Sequence, residues 1–214
     1  MICVSIAEHD FSTCLKQVKQ YEFVELRLDA ADFSINQIEK LVSSAYKIIV
    51  TYRPGKSGIQ TRMDAIAASI KAGAGMIDME IDAPGDYRSE LMKQAKSKNC
   101  QIILSFHDYM ITPGEDSLKN LLSECYSKGA DIAKIACQVN SGADNARLLS
   151  LYALPGRKVI LGMGELGRIT RLAAHYMGAE FSYTSPENGH STAAGQLSFK
   201  EFQTIQNILN HSSR

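Results

Sequence analysis

The sequence predicts a (β/α)8 barrel, and three observations carry that expectation. Eight short apolar runs rich in Val, Ile, Phe and Tyr recur along the chain, each followed by a helical pattern. Their starts lie about 25 residues apart, which suits a strand plus one crossover helix and is too short for two separate domains. Polar and charged residues gather at the ends of several runs, where barrels of this kind keep their reactive groups. At 214 residues the chain is short for that fold, so short loops and a single barrel domain over 1–214 are expected. A doubly wound open sheet is the alternative assembly of the same units.

The predicted strands are residues 2–6, 23–28, 47–52, 75–81, 101–106, 131–136, 158–163 and 180–184. The first is bounded by Glu8, His9 and Asp10; the next two end in charges, and the fourth carries Asp78 and Glu80. Helix starts are marked by hydroxyl residues followed three positions later by a side chain that reaches back: Ser34 with Gln37, Thr61 with Asp64, and Ser198 with Glu201. Gly73 and Gly129 are stop signals.

Composition narrows the function. Hydrophobic residues make up 45% and charged residues 21%, the balance of an ordinary globular protein. Lys plus Arg and Asp plus Glu both number 23, so there is no basic surplus for nucleic acid or a membrane surface. No apolar run approaches the roughly 18 residues of a membrane span, and Met1 leads straight into a strand rather than a secretory leader. The five cysteines are scattered and lack any C-x-x-C pair, which fits reduced thiols better than disulfides or zinc. A cytoplasmic protein is expected.

The run ends supply candidate chemistry. The second strand ends Glu25-Leu26-Arg27-Leu28-Asp29, placing three charges on one face; the third runs into Thr51-Tyr52-Arg53, and the fifth into Ser105-Phe106-His107-Asp108. A strand buried on both faces reads as continuous apolar residues, so these charges are either solvated at the rim or functional. Lys134 is the most informative, because it interrupts Ala130-Asp131-Ile132-Ala133-Lys134-Ile135-Ala136 between alanines too small to shield it. Burial and nearby cations such as Arg27 or Arg53 would favour a neutral amine able to attack a ketone or aldehyde and form an imine. Its structural alternative is an ion pair with Glu80 or Glu25. His107, one strand away, suits proton removal and return near neutral pH.

The segment Gly162-Met163-Gly164-Glu165-Leu166-Gly167 matches the dinucleotide fingerprint G-x-G-x-x-G, but it falls in the seventh unit, and Glu180 begins the next strand instead of ending it. A tight loop fits better, one that brings Arg171 to the mouth, where a helix N-terminus and a guanidinium hold a carboxylate or phosphate. The small-residue loop His190-Ser191-Thr192-Ala193-Ala194-Gly195-Gln196 closes over a ligand, with His190 itself a solvated loop residue.

Taken in this order, the motifs resemble type I 3-dehydroquinate dehydratase. The resemblance rests on the strand-end motifs above together with Met163-Gly164-Glu165-Leu166-Gly167-Arg168-Ile169-Thr170-Arg171 and Ala194-Gly195-Gln196, and covers nearly the whole chain. It implies a dimeric barrel with 3-dehydroquinate as substrate and no metal or cofactor. By motif position, Lys134 resembles the imine-forming lysine and His107 the general acid/base. Arg171, Gln196 and Thr192, the last where serine is common, resemble the residues that hold the substrate carboxylate. Glu25, Arg27 and Arg53 are similar to those contacting the ring hydroxyls. Two departures stand out: the family commonly has a glutamate where this chain has Ser57, and a proline where it has Ala194. Glu80 is the expected replacement acid for orienting His107. A class I aldolase and a barrel that binds without turnover are the other two readings, the first motivated by Lys134 alone and the second by Ser57.

Overall fold

The computed structural model describes residues 1–55, 57–187 and 192–211. Its strands are β1 (Ile2–Ile6), β2 (Phe23–Arg27), β3 (Lys47–Thr51), β4 (Met76–Glu80), β5 (Gln101–Asp108), β6 (Ile132–Gln138), β7 (Lys158–Met163) and β8 (Ser182–Thr184). They alternate with α1 (Phe11–Gln20), α2 (Ile35–Ser44), α3 (Ile59–Lys71), α4 (Gly85–Ser97), α5 (Glu115–Ser127), α6 (Gly142–Ser150), α7 (Arg168–Tyr176) and α8 (Phe199–His211). Every ladder is parallel, and the strands stand in chain order from β7 back to β1, with β8 beside β1. The order never reverses, so there is no switch point and the doubly wound alternative falls away. At the seam, the Glu180 amide donates to the Lys158 carbonyl at 3.0 Å, nearly closing the (β/α)8 barrel.

Strand alternation divides the core. Outward residues such as Val4, Ile6, Val24, Leu26, Ile77, Met79 and Leu104 pack under the helices. Inward residues Cys3, Phe23, Ile49, Met76, Ile103, Ile132 and Phe181 fill the lower barrel. Two positions further along β1 to β6, the inward residue becomes polar: Ser5, Glu25, Thr51, Asp78, Ser105 and Lys134, all buried. One apolar layer thus supports one polar layer, and the polar layer is the floor of the site.

The caps at Ser34–Gln37 and Ser198–Glu201 form as expected, the second with Ser198 N donating to Glu201 Oε2 at 2.8 Å. Thr61 caps nothing: α3 starts two residues earlier behind the extended Gly58, and Asp64 accepts instead from Gln60 Nε2. Gly73 and Gly129 take φ of +100° and +92°, as helix stops do. β5 and β6 outrun their apolar cores by two residues each, because pairing continues through His107 with Ala136 and Asp108 with Cys137. β2 stops at Arg27, and a 3-10 turn at Leu28–Ala30 lifts Asp29 off the strand face. β8 shrinks to Ser182–Thr184. All five cysteines are free and buried, and no helix among the described residues is long and apolar enough to cross a membrane.

Candidate active site

Lys134 projects from β6 into the centre of the polar layer. Its Nζ donates to Asp78 Oδ2 at 2.8 Å, lies 3.7 Å from Glu25 Oε1, and sits 4.4 Å from the centre of the Tyr183 ring. The charges that meet it are therefore carboxylates, not Arg27 or Arg53 as expected, and of its two expected ion-pair partners only Glu25 is present. Glu25 in turn accepts from Ser5 Oγ and, at 2.8 Å, from Thr51 Oγ1.

Asp78 is the hub of this layer. It is fully buried and also accepts from Ser105 Oγ at 2.6 Å and Arg53 Nη2 at 2.7 Å. Burial pushes its carboxyl up, but Arg53 and Lys134 outweigh burial and hold it well below the usual carboxylate range. Arg53 Nη1 donates to Glu80 Oε1 at 2.7 Å and to Ser105 Oγ at 2.9 Å. Burial opposes the guanidinium charge, yet Asp78 and Glu80 prevail and raise its pKa.

Glu80 does not meet His107. One of its oxygens is taken by Arg53 and the other by Arg62 Nη2 at 3.3 Å, so the expected replacement acid is spent on arginines. Ser57 Oγ accepts from Tyr52 Oη at 2.9 Å and likewise leaves His107 alone. Among the described residues no group hydrogen-bonds the His107 ring; Tyr109 lies nearly parallel to it, centroids 6.1 Å apart. Burial first, then Arg53 and Lys134, push the imidazole well below its usual pKa against the opposing pull of Asp78. At neutral pH it is an uncharged base.

Across the mouth, α7 carries Arg171, which is 3% exposed, with Nε and Nη2 lacking any partner. Burial pulls its pKa down to about 10. An unpaired buried guanidinium is costly and calls for an anion. The G-x-G-x-x-G spacing here serves backbone packing. A Cβ on Gly167 would lie 2.5 Å from the Gly162 carbonyl carbon, and one on Gly195 only 2.4 Å from the Gly164 oxygen. Gly164 N donates to Ala194 O at 3.2 Å, so the β7–α7 loop rests on the loop after β8. There Thr192 Oγ1 lies 3.0 Å from both Ser5 Oγ and Gln196 Oε1. His190 and Ser191 lie outside the described residues.

These side chains surround a cavity of about 160 Å³. Glu25, Arg27, Arg53, His107, Lys134, Arg171, Thr192 and Gln196 all line it; Glu80 does not. Arg27 is braced by Asp29 at 2.7 Å. Tyr183, Tyr109 and Gln138 line it too, and sequence reasoning missed them. Tyr183 was detectable in principle, since it stands two positions after the inward Phe181. An amine, an uncharged imidazole and an unpaired guanidinium on one small cavity provide a nucleophile, a base and an anion clamp.

The fold and this cavity define a (β/α)8-barrel enzyme with an amine-centred site at the strand ends. The model of the family described as type I 3-dehydroquinase matches residues 2–213. The chain belongs to this family of hydro-lyases. A 3-dehydroquinate dehydratase of Aquifex aeolicus is 31% identical over 96% of this chain and 97% of its own, and one of Methanocaldococcus jannaschii is 28% identical over 98% and 99%. The crystal structure of the Aquifex aeolicus enzyme superposes with a TM-score of 0.84 at 29% identity, covering 97% of this chain and 98% of that one.

Proposed function

We propose that this chain dehydrates 3-dehydroquinate to 3-dehydroshikimate by syn elimination through an imine on Lys134. The observation that carries the reading is the buried Lys134 amine facing, across one small cavity, the unpartnered Arg171 guanidinium. The substrate carboxylate satisfies Arg171, with Gln196 and Thr192 beside it, and the ring hydroxyls face Glu25, Arg27 and Arg53. This pose brings the ring ketone to Lys134.

Lys134 first gives up a proton to solvent, and its nitrogen adds to the ketone carbon. The ketone oxygen leaves as water with one proton from the nitrogen and one returned by solvent, leaving a protonated imine and an uncharged His107. That cation acidifies the neighbouring C–H, and His107 takes the proton while the electron pair moves toward the imine nitrogen. The electrons return to expel the β-hydroxyl, which leaves as water with the proton His107 now carries. Both groups leave from the face His107 occupies. Water then hydrolyses the conjugated imine, freeing the enone and the amine. Asp78 and Glu25 face the Lys134 nitrogen and balance the positive charge of the protonated imine. The scattered buried thiols support a reducing, cytoplasmic setting, and exposed Tyr109, Met110 and Ile111 beside the mouth support a homodimer.

Sodium borohydride added with 3-dehydroquinate should fix a reduced adduct on Lys134, read by intact mass and peptide mapping. An unmodified chain that still turns over would refute the imine, and an adduct formed only with a sugar phosphate would favour the aldolase reading.

A further inference from the structure

A guanidinium carries five N–H donors in a rigid fork. Arg53 commits three to the barrel wall: two from Nη1, to Glu80 Oε1 (2.7 Å) and Ser105 Oγ (2.9 Å), and one from Nη2 to Asp78 Oδ2 (2.7 Å). The other two, on Nε and Nη2, belong to a side chain that lines the cavity. Which way they point is set by the wall contacts, and one of those contacts has its own support outside the cavity. Arg62 of α3 is 7% exposed and does not line the cavity. Its Nη2 donates to Glu80 Oε2 at 3.3 Å, while its Nε donates to the carbonyl of Tyr52, also at 3.3 Å. Tyr52 directly precedes Arg53. One arginine behind the wall thus grips both the main chain leading into Arg53 and the carboxylate that holds the Arg53 side chain. Arg62 is itself seated on the Tyr87 ring, its guanidinium carbon 5.2 Å from the centroid.

Charge agrees with this layout. Arg53, Arg62 and Lys134 face Glu25, Asp78 and Glu80 through direct ion pairs, so the cluster balances only with Arg62 counted in. We propose that Arg62 and Glu80 form a positioning clamp that sets the Arg53 fork and thereby selects substrates whose ring carries hydroxyls besides the one that is eliminated. The role of Glu80 is then to act on Arg53, not on His107. This assignment rests on the proposed function in placing ring hydroxyls against Arg53.

Steady-state kinetics with 3-dehydroquinate on Glu80→Gln, Arg62→Met and Arg62→Lys tests it. Glu80→Gln and Arg62→Met are expected to raise KM by about tenfold, the scale of a misplaced charge-assisted hydrogen bond. Both should leave kcat within about threefold, because Lys134 and His107 stay in place, and any movement of the acidic limb of the pH profile should be upward, since Arg53 is one of the cations that hold the His107 pKa down. Arg62→Lys should recover part of the loss, since it restores the charge without the two-point grip. An unchanged KM in the folded variants overturns the clamp, and so does a fall in kcat with the acidic limb shifted downward, the sign of a carboxylate lost from the imidazole, which would return Glu80 to His107. If Glu80→Gln does not fold, the two Arg62 variants carry the test. Failure of the dehydratase reading shows separately, as no turnover and no borohydride adduct in the unmodified protein. Even then the clamp is readable, because Arg53 must change position in a crystal structure of Glu80→Gln or Arg62→Met, and an unmoved Arg53 ends the proposal.

Discussion

Asp78→Asn is the perturbation on which the account of the polar layer turns. The substitution keeps the shape and removes one charge from a carboxylate that accepts from Arg53 at 2.7 Å, Lys134 at 2.8 Å and Ser105 at 2.6 Å with no solvent contact. Two buried cations lose their shared partner, and breaking a buried pair in this way costs about 3–5 kcal/mol. For a chain of this length each kcal/mol lowers Tm by about 2–4 °C, so a fall of about 6–20 °C is expected in a thermal melt followed by circular dichroism. Urea unfolding should give the same loss of free energy. Asp82, exposed on the surface, is the control: Asp82→Asn should stay within about 0.5 kcal/mol. The sign with pH also follows. The folded carboxyl of Asp78 lies below its unfolded value, so its stabilisation is complete above about pH 5 and fades as pH falls past the unfolded value near 3.9 toward the folded one. The gap between Asp78→Asn and the unmodified protein should therefore narrow in acid. Adding Lys134→Met to Asp78→Asn removes one stranded cation, and the double variant should be more stable than the sum of the singles by at least about 1 kcal/mol. A loss under 1 kcal/mol for Asp78→Asn, or simple additivity in the double variant, would refute the hub.

His107→Ala should abolish turnover yet leave a borohydride-trapped adduct on Lys134, and in the unmodified protein the acidic limb of kcat/KM should lie below the ordinary imidazole value near 6.5. Arg171→Met should stabilise the protein by about 1–3 kcal/mol in urea, since two unpartnered buried donors disappear, while KM for 3-dehydroquinate rises steeply. Gly195→Ala should cost at least about 1–2 kcal/mol, because φ is +77° and the new methyl would overlap the Gly164 oxygen, and kcat/KM should fall with it. An unchanged melt would show that the two mouth loops do not rest on one another.

Much of the site was legible because strand alternation is strict. Glu25, Arg27, Arg53, His107 and Lys134 could be placed on one inward face from their positions alone, and a lysine between alanines has few bland explanations. The order of partners was not legible. Asp78 and Glu80 stand two residues apart on the same strand and read alike, yet one meets Lys134 and the other is divided between Arg53 and Arg62. Which of them does so depends on the stagger of β4 against β3 and β6, a property of barrel closure and not of local sequence. Tyr183 escaped for a related reason: β8 is three residues long, too short for a periodic signal, and its ring matters only because Lys134 reaches it from β6, two strands round the barrel. The misplaced cap at Thr61 shows the limit of motif spacing when an extended glycine three residues upstream starts the helix first.

The five buried thiols give this protein an internal record of its own opening. Burial pushes Cys14, Cys100, Cys125 and Cys137 up to about 12 and holds Cys3 well above the ordinary thiol value, so none offers a reactive thiolate while its surroundings stay packed. Labelling by a thiol reagent at neutral pH then reports the rate at which each neighbourhood comes apart, from β1 through α1 and α5 to β6. Beyond Cys137 the chain has no cysteine. The loops around Arg171 and Gln196 are silent in that record, and a single cysteine introduced there would show whether the mouth opens before the barrel does.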